Sequence, residues 1–112
     1  MEQFTTALIH QDGLLIVRAA GRVDHGNVAT FIEEMRKAFD TNVKRVIVNM
    51  KDVGFLTSVG WGTLLSGASG ASKRGARVVL CELNGPVKSS YELLSIQETL
   101  RSFPTEQDAI KG

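Results

Sequence analysis

The spacing of apolar positions changes several times along the chain, and each change marks an element. Thr5-Thr6-Ala7-Leu8-Ile9-His10 and Leu14-Leu15-Ile16-Val17-Arg18-Ala19-Ala20 are short apolar runs that read as strands. Between them Gln11-Asp12-Gly13 is turn chemistry, with Gly13 able to take positive φ. The short turn predicts an antiparallel hairpin, ended by Gly21. After Asn27, an N-cap candidate, Val28, Phe31, Ile32, Met35, Ala38 and Phe39 recur with helical spacing. Val43 to Met50 is a β-branched strand, and Lys51 to Leu56 is expected to be a loop.

A second helix is expected to begin near Ser58, with Trp61, Leu64, Leu65, Ala68 and Ala71 on one face. Its small residues are unusual: Gly60, Gly62, Gly67 and Gly70 each cost roughly 1 kcal/mol relative to Ala in a helix. Close packing against a sheet is the expected offset for Gly67 and Gly70. Lys73-Arg74-Gly75 supplies a basic last turn and a terminating glycine. A fourth strand, Ala76 to Cys81, precedes a third helix opened by Asn84-Gly85-Pro86, whose buried face is read as Val87, Tyr91, Leu94 and Leu93. Thr99 to Phe103 reads as a short edge strand, and Thr105-Glu106-Gln107-Asp108 resembles a capping box that opens a last helix.

This order predicts an α/β domain spanning residues 1–112. Its sheet is mixed and mostly parallel, with four to five strands, about four helices and an N-terminal antiparallel hairpin.

Composition narrows the function classes. A length of 112 residues suits one domain, and 43% hydrophobic with 22% charged residues suits a globular core. A net charge of +1 and few aromatics argue against a nucleic-acid surface. No apolar stretch approaches the roughly 20 residues that span a bilayer, and Met1-Glu2-Gln3-Phe4-Thr5 lacks signal-peptide character. A cytoplasmic protein without membrane attachment is expected. The lone Cys81 excludes an intramolecular disulfide and reads as a buried, inert thiol.

Enzyme motifs are missing. Leu56-Thr57-Ser58-Val59-Gly60 has only the second glycine of a nucleophile elbow. Gly60-Trp61-Gly62 lacks the third glycine of a dinucleotide fingerprint, and no stretch matches a phosphate loop. Asp24-His25 has no spaced partner for a metal, so neither metal nor cofactor is expected. Trp61 falls on the apolar stripe, with a partner-facing role as the alternative. Ser58 reads two ways. It is an ordinary helix cap, or it is a modification site at the positive end of a helix dipole. A phosphate there adds about −1.5 to −2 charges and reverses the sign of the whole chain.

Two stretches resemble the STAS domains of anti-sigma factor antagonists. Ala20-Gly21-Arg22-Val23-Asp24 resembles the "G-x-[LIV]-D" end of their second strand. Val46 to Gly62, through Phe55-Leu56-Thr57-Ser58-Val59-Gly60, is similar to their central motif "D-[SL]-x-[FY]-[IM]-D-S-[SA]-G-L-G". The resemblance covers nearly the whole chain and implies partner switching. The unphosphorylated domain would bind an anti-sigma factor that is also a serine kinase. Phosphorylation of Ser58 would break that complex, and a metal-dependent serine phosphatase would restore it. The same resemblance implies a partner-binding set of Asp24, Thr57, Ser58, Val59, Gly60 and Trp61, with Gly60 keeping the turn tight.

Thr57 stands where the motif has an acidic residue, and Val59 where it often has Ser or Ala. Thr57 is thereby a second candidate hydroxyl. The alternative readings are an unphosphorylated scaffold or regulatory subunit of a larger signalling complex, and a small-ligand site on a related fold. A homodimer is compatible with each.

Overall fold

A computed structural model describes residues 4–112; Met1, Glu2 and Gln3, read above for a leader segment, lie outside it. Strand β1 (Thr5–Gln11) pairs antiparallel with β2 (Leu14–Val23). Asp12 and Gly13 between them take φ of 50° and 79°, the two left-handed residues that a two-residue hairpin turn needs. Helix α1 (Val28–Phe39) then buries Phe31, Met35 and Ala38. Asn27 precedes it but gives the helix no side-chain cap. Its amide serves the loop instead: Oδ1 accepts from the Asp24 N–H at 2.9 Å, and Nδ2 donates to the Arg22 carbonyl at 2.7 Å.

Strand β3 runs from Arg45 to Leu56, so the expected loop at Lys51–Leu56 is strand. The reason lies in β2, which continues past Gly21 and pairs Ala20 with Asp52, Gly21 with Val53, Arg22 with Phe55 and Val23 with Leu56. Register shifts interrupt this ladder between Arg18 and Ala20 and between Gly21 and Arg22. A bulged ladder loses strict alternation, which hides the strand from a period-two reading. Helix α2 (Ser58–Lys73) follows, then β4 (Arg77–Cys81), α3 (Gly85–Leu93), a 3-10 turn (Ile96–Glu98), β5 (Ser102–Phe103) and α4 (Glu106–Lys111).

The sheet has the spatial order β1-β2-β3-β4-β5, and every pair after the hairpin is parallel. One face carries the larger core, where Leu15, Val17, Val46, Val48 and Leu80 meet Phe31, Met35, Trp61, Leu64, Val87 and Tyr91 of α1, α2 and α3. On the other face, Ile16, Ile47, Val79, Cys81 and Phe103 are covered by Ala109 and Ile110 of α4.

Three expectations are corrected in the helices and the edge strand. Gly67 is spared a side chain because a Cβ there would overlap the Phe39 ring of α1, so the close approach is helix to helix; a Cβ at Gly70 would meet open space. Leu93 and Leu94 are exposed rather than buried, because α3 ends at Leu93 and the chain reverses at Ser95, whose φ is 54°. Only Ser102 and Phe103 of the expected edge strand pair with β4; Leu100 turns into the larger core instead.

Candidate functional site

The paired extension of β2 and β3 carries two chain ends to one rim. The Thr57 N–H donates to the Val23 carbonyl at 3.1 Å and ties those ends together. Asp24 follows on one side of that bond and Ser58 on the other. Thr57 has extended backbone, its Oγ1 accepts from the Gly60 N–H at 3.2 Å, and its carbonyl accepts from the Trp61 N–H at 3.0 Å. Thr57 is therefore the N-cap of α2, and Ser58 is the first helical residue rather than the cap. The correction matters chemically. The cap is provided by the neighbour, so Ser58 is exposed and free of that duty.

The six residues expected at a partner surface divide. Ser58 and Val59 are exposed and Asp24 is half-buried. Asp24 Oδ1 accepts from the N–H groups of Gly26 at 2.9 Å and Asn27 at 3.2 Å, which shapes the loop beside Ser58. Thr57, Gly60 and Trp61 are buried. A Cβ on Gly60 would overlap Leu56, so glycine there serves packing beneath the turn. Trp61 is 2% exposed and lies 6.0 Å from Tyr91, ring centre to ring centre. Its indole faces the core, and its Nε1 has no partner among the described residues. Trp61 thus packs in the larger core, on the core side of its two sequence readings. Thr57 is likewise buried, with its oxygen engaged at the cap.

The first turn of α2 holds no acidic side chain. The first N–H groups of any helix lack intrahelical acceptors. Thr57 satisfies that of Gly60, and those of Ser58 and Val59 remain for solvent or an anion.

Two features escaped the sequence reading. Arg22 and Phe55 face each other across the extended strands, with the guanidinium 4.8 Å from the ring centroid. On the α4 side of the sheet, a cavity of about 290 Å³ is lined by Arg18, Asn49, Lys51, Glu82 and Glu106. Its polar groups dock α4. Arg18 donates to the Glu106 carboxylate from Nε at 3.1 Å and from a terminal nitrogen at 2.8 Å, and Asn49 Nδ2 donates to it at 2.9 Å. The Glu106 N–H in turn donates to Glu82 at 2.9 Å. These partners are 24 to 88 residues from Glu106 in the chain, beyond any local pattern. Cys81 beneath them is pushed up to about 12 by burial, with Glu82 and Glu106 adding to it.

The hydrogen bonds from Arg18 hold the Glu106 carboxyl below its ordinary value; burial opposes this and the Asn49 bond assists it. A carboxylate with a depressed native pKa contributes stability above its unfolded value of about 4.3, and that contribution is lost as pH falls through the native value. Urea midpoints taken across this acid range should fall with pH in the parent and fall less steeply in Glu106→Gln. Equal slopes would remove Glu106 from the acid limb.

The fold and the rim together define a single α/β domain with an exposed serine at a helix start. The chain belongs to the STAS domain family, whose model matches residues 5–109. It is 24% identical over 102 residues to an anti-sigma F factor antagonist of Paenibacillus polymyxa, covering 90% of this chain and 87% of that one. Its fold is similar to that of an anti-sigma factor antagonist from Mycobacterium paratuberculosis, with a TM-score of 0.87, 21% identity and coverage of 97% and 92% of the two chains. It is also similar to the Bacillus cell fate determinant SpoIIAA in its phosphorylated form, with a TM-score of 0.69, 19% identity and 97% of each chain covered. Among the described residues, no helix is long and apolar enough to cross a membrane.

Proposed function

We propose that the domain is an anti-sigma factor antagonist, a binding module without catalytic chemistry of its own, switched by phosphorylation at Ser58 in the cytoplasm. One observation carries the reading. Thr57 is buried and supplies the helix cap, which leaves the adjacent Ser58 exposed at the positive end of α2. The membership of the STAS family and the names of the relatives support it.

In its unmodified form the rim around Ser58 binds an anti-sigma factor that is also a serine kinase, and the sigma factor is released for transcription. Within that complex the Ser58 oxygen attacks the γ-phosphorus of ATP held by the kinase. The new O–P bond forms, the bond to ADP breaks, and the hydroxyl proton passes to a base on the kinase. The resulting dianion sits on the contact surface and ends the complex. A metal-dependent serine phosphatase transfers the phosphoryl group to water and resets the domain.

Incubating the isolated domain with its kinase partner and Mg-ATP should place one phosphate on the parent and on Thr57→Val, and none on Ser58→Ala. A phosphate retained by Ser58→Ala and lost in Thr57→Val would move the site to Thr57.

A further inference from the structure

The two edges of the sheet differ in kind. β5 is two residues long, with Arg101 before it and Pro104 after it. Short length, charge and proline are the devices that keep an edge from pairing with other chains. β1 has none of them. It runs for seven residues without proline, glycine, acid, lysine or arginine, and its ladder with β2 is continuous, without a bulge. The two-residue turn makes Gln11 and Leu14 a hydrogen-bonded pair. Alternation then directs the N–H and C=O groups of Gln11, Ile9, Ala7 and Thr5 to β2 and those of Thr6, Leu8 and His10 outward. The Gly13 carbonyl fits this alternation, since it accepts from the Lys44 N–H on the far side of β2. Among the described residues, no group bonds the outward backbone of Thr6, Leu8 or His10. The side chains alternate as well. Ile9 packs against the core of the α4 face, and the Thr6 hydroxyl donates to Glu34 of α1 at 2.9 Å. Ala7 therefore shares the α4 face with Ile9, and Leu8, 51% exposed, lies on the α1 face.

We propose that β1 is the contact of a homodimer, in which the β1 strands of two copies pair antiparallel about a two-fold axis at Leu8. That register places Leu8 opposite Leu8, Thr6 opposite His10 and Ala7 opposite Ile9. Thr6, Leu8 and His10 become the hydrogen-bonded pairs across the axis, the arrangement that their outward groups require. The register is self-complementary in charge, because His10, the strand's one ionisable side chain, meets Thr6 and not its own copy. It is self-complementary in shape on both faces. Leu8 covers Leu8 on the α1 side. On the other side Ile9 of each copy meets Ala7 of the other, and the apolar cluster around Ile16 and Ile47 continues across the axis. A second copy also closes the assembly: β5 offers no edge for further growth, so pairing stops at two. The two-fold reverses strand direction. The two Ser58 rims, which follow the carboxyl ends of β3, therefore lie at opposite ends of the joined sheet.

Sedimentation equilibrium of the full chain should show a dimer that forms as concentration rises through the micromolar range, because an edge contact is a small interface. Hydrogen exchange at Thr6, Leu8 and His10 should slow in the concentrated sample, and exchange at Ala7 and Ile9 should stay the same. Leu8→Lys sets two ammonium groups against each other at the axis and should weaken the dimer by about tenfold or more. Thermal melts check that the variant stays folded. Leu8→Glu should act likewise, and an equimolar mixture of the two variants should restore the dimer, which a folding defect would not do. A chain that stays monomeric up to about 1 mM, or a dimer that Leu8→Lys leaves intact, would overturn the proposal. Slowed exchange at Thr6, Leu8 and His10 only after an anti-sigma factor is added would also overturn it, and would assign the edge to that partner.

Discussion

Ser58→Glu should weaken binding to the anti-sigma factor by about 100-fold or more, because a like-charge juxtaposition at an interface costs several kcal/mol and each tenfold is about 1.4 kcal/mol. The same substitution should leave the domain as stable as the parent, or slightly more so. Ser58 is exposed at the first position of α2, whose first turn carries no acidic side chain. A carboxylate at a helix N-terminus contributes about 0.3–1 kcal/mol of favourable dipole interaction. The two effects therefore have opposite signs, and an interface effect is separated from an unfolding effect. Ser58→Ala should bind like the parent and resist modification. Titration calorimetry with a parallel thermal melt reads both quantities. Parent-like affinity in Ser58→Glu would show that the rim at Ser58 is not the contact surface.

Trp61→Ala should destabilise the domain by about 3–5 kcal/mol, the cost of emptying a large buried site. That is a sizeable part of the roughly 5–15 kcal/mol that holds a domain folded. The expectation follows from Trp61 being 2% exposed against Tyr91 and the larger core. Trp61→Phe should cost much less. It keeps most of the apolar volume and removes an indole N–H that has no partner among the described residues. Denaturant midpoints of the two variants measure the difference. A small loss in Trp61→Ala would mean that the ring packs at the surface, where it would again be a candidate contact.

The architecture was legible wherever one period ran uninterrupted. The apolar face of α1, the hairpin turn at Asp12-Gly13 and the glycine that ends α2 all follow from local rules. Where two strands shift register together, as β2 and β3 do past Arg18, alternation fails and Lys51–Leu56 looks like a loop. Leu93 and Leu94 misled for a different reason: apolar residues at a helix end read as a buried face, but the chain turns away there.

The site was legible as a position but not in its division of labour. Thr57 and Ser58 are both hydroxyl residues at a helix start, and sequence does not say which one caps. The bond from the Gly60 N–H to Thr57 Oγ1 decides it. Arg22 and Phe55 are 33 residues apart in the chain and meet only through the ladder register. The Arg18–Asn49–Glu106 cluster likewise depends on which residues share one face of the sheet.

Gly60 and Trp61 show what buried residues of the motif contribute within the domain itself. Gly60 lets Leu56 close under the turn, and Trp61 anchors the first turn of α2 to the core. Together with the Thr57 cap they fix the helix start, and the exposed hydroxyl of Ser58 is held at a defined point of the rim. A loop serine would have to be ordered each time the partner bound, at an entropic cost that a rigid helix start avoids.

Site-resolved mass spectrometry of the protein isolated from its own cells tests the switch most directly. A fraction of molecules carrying one phosphate, with fragment ions that place it on Ser58, is the expected result. Phosphate confined to Thr57, or a protein wholly unmodified under conditions in which its kinase partner is active, would contradict it.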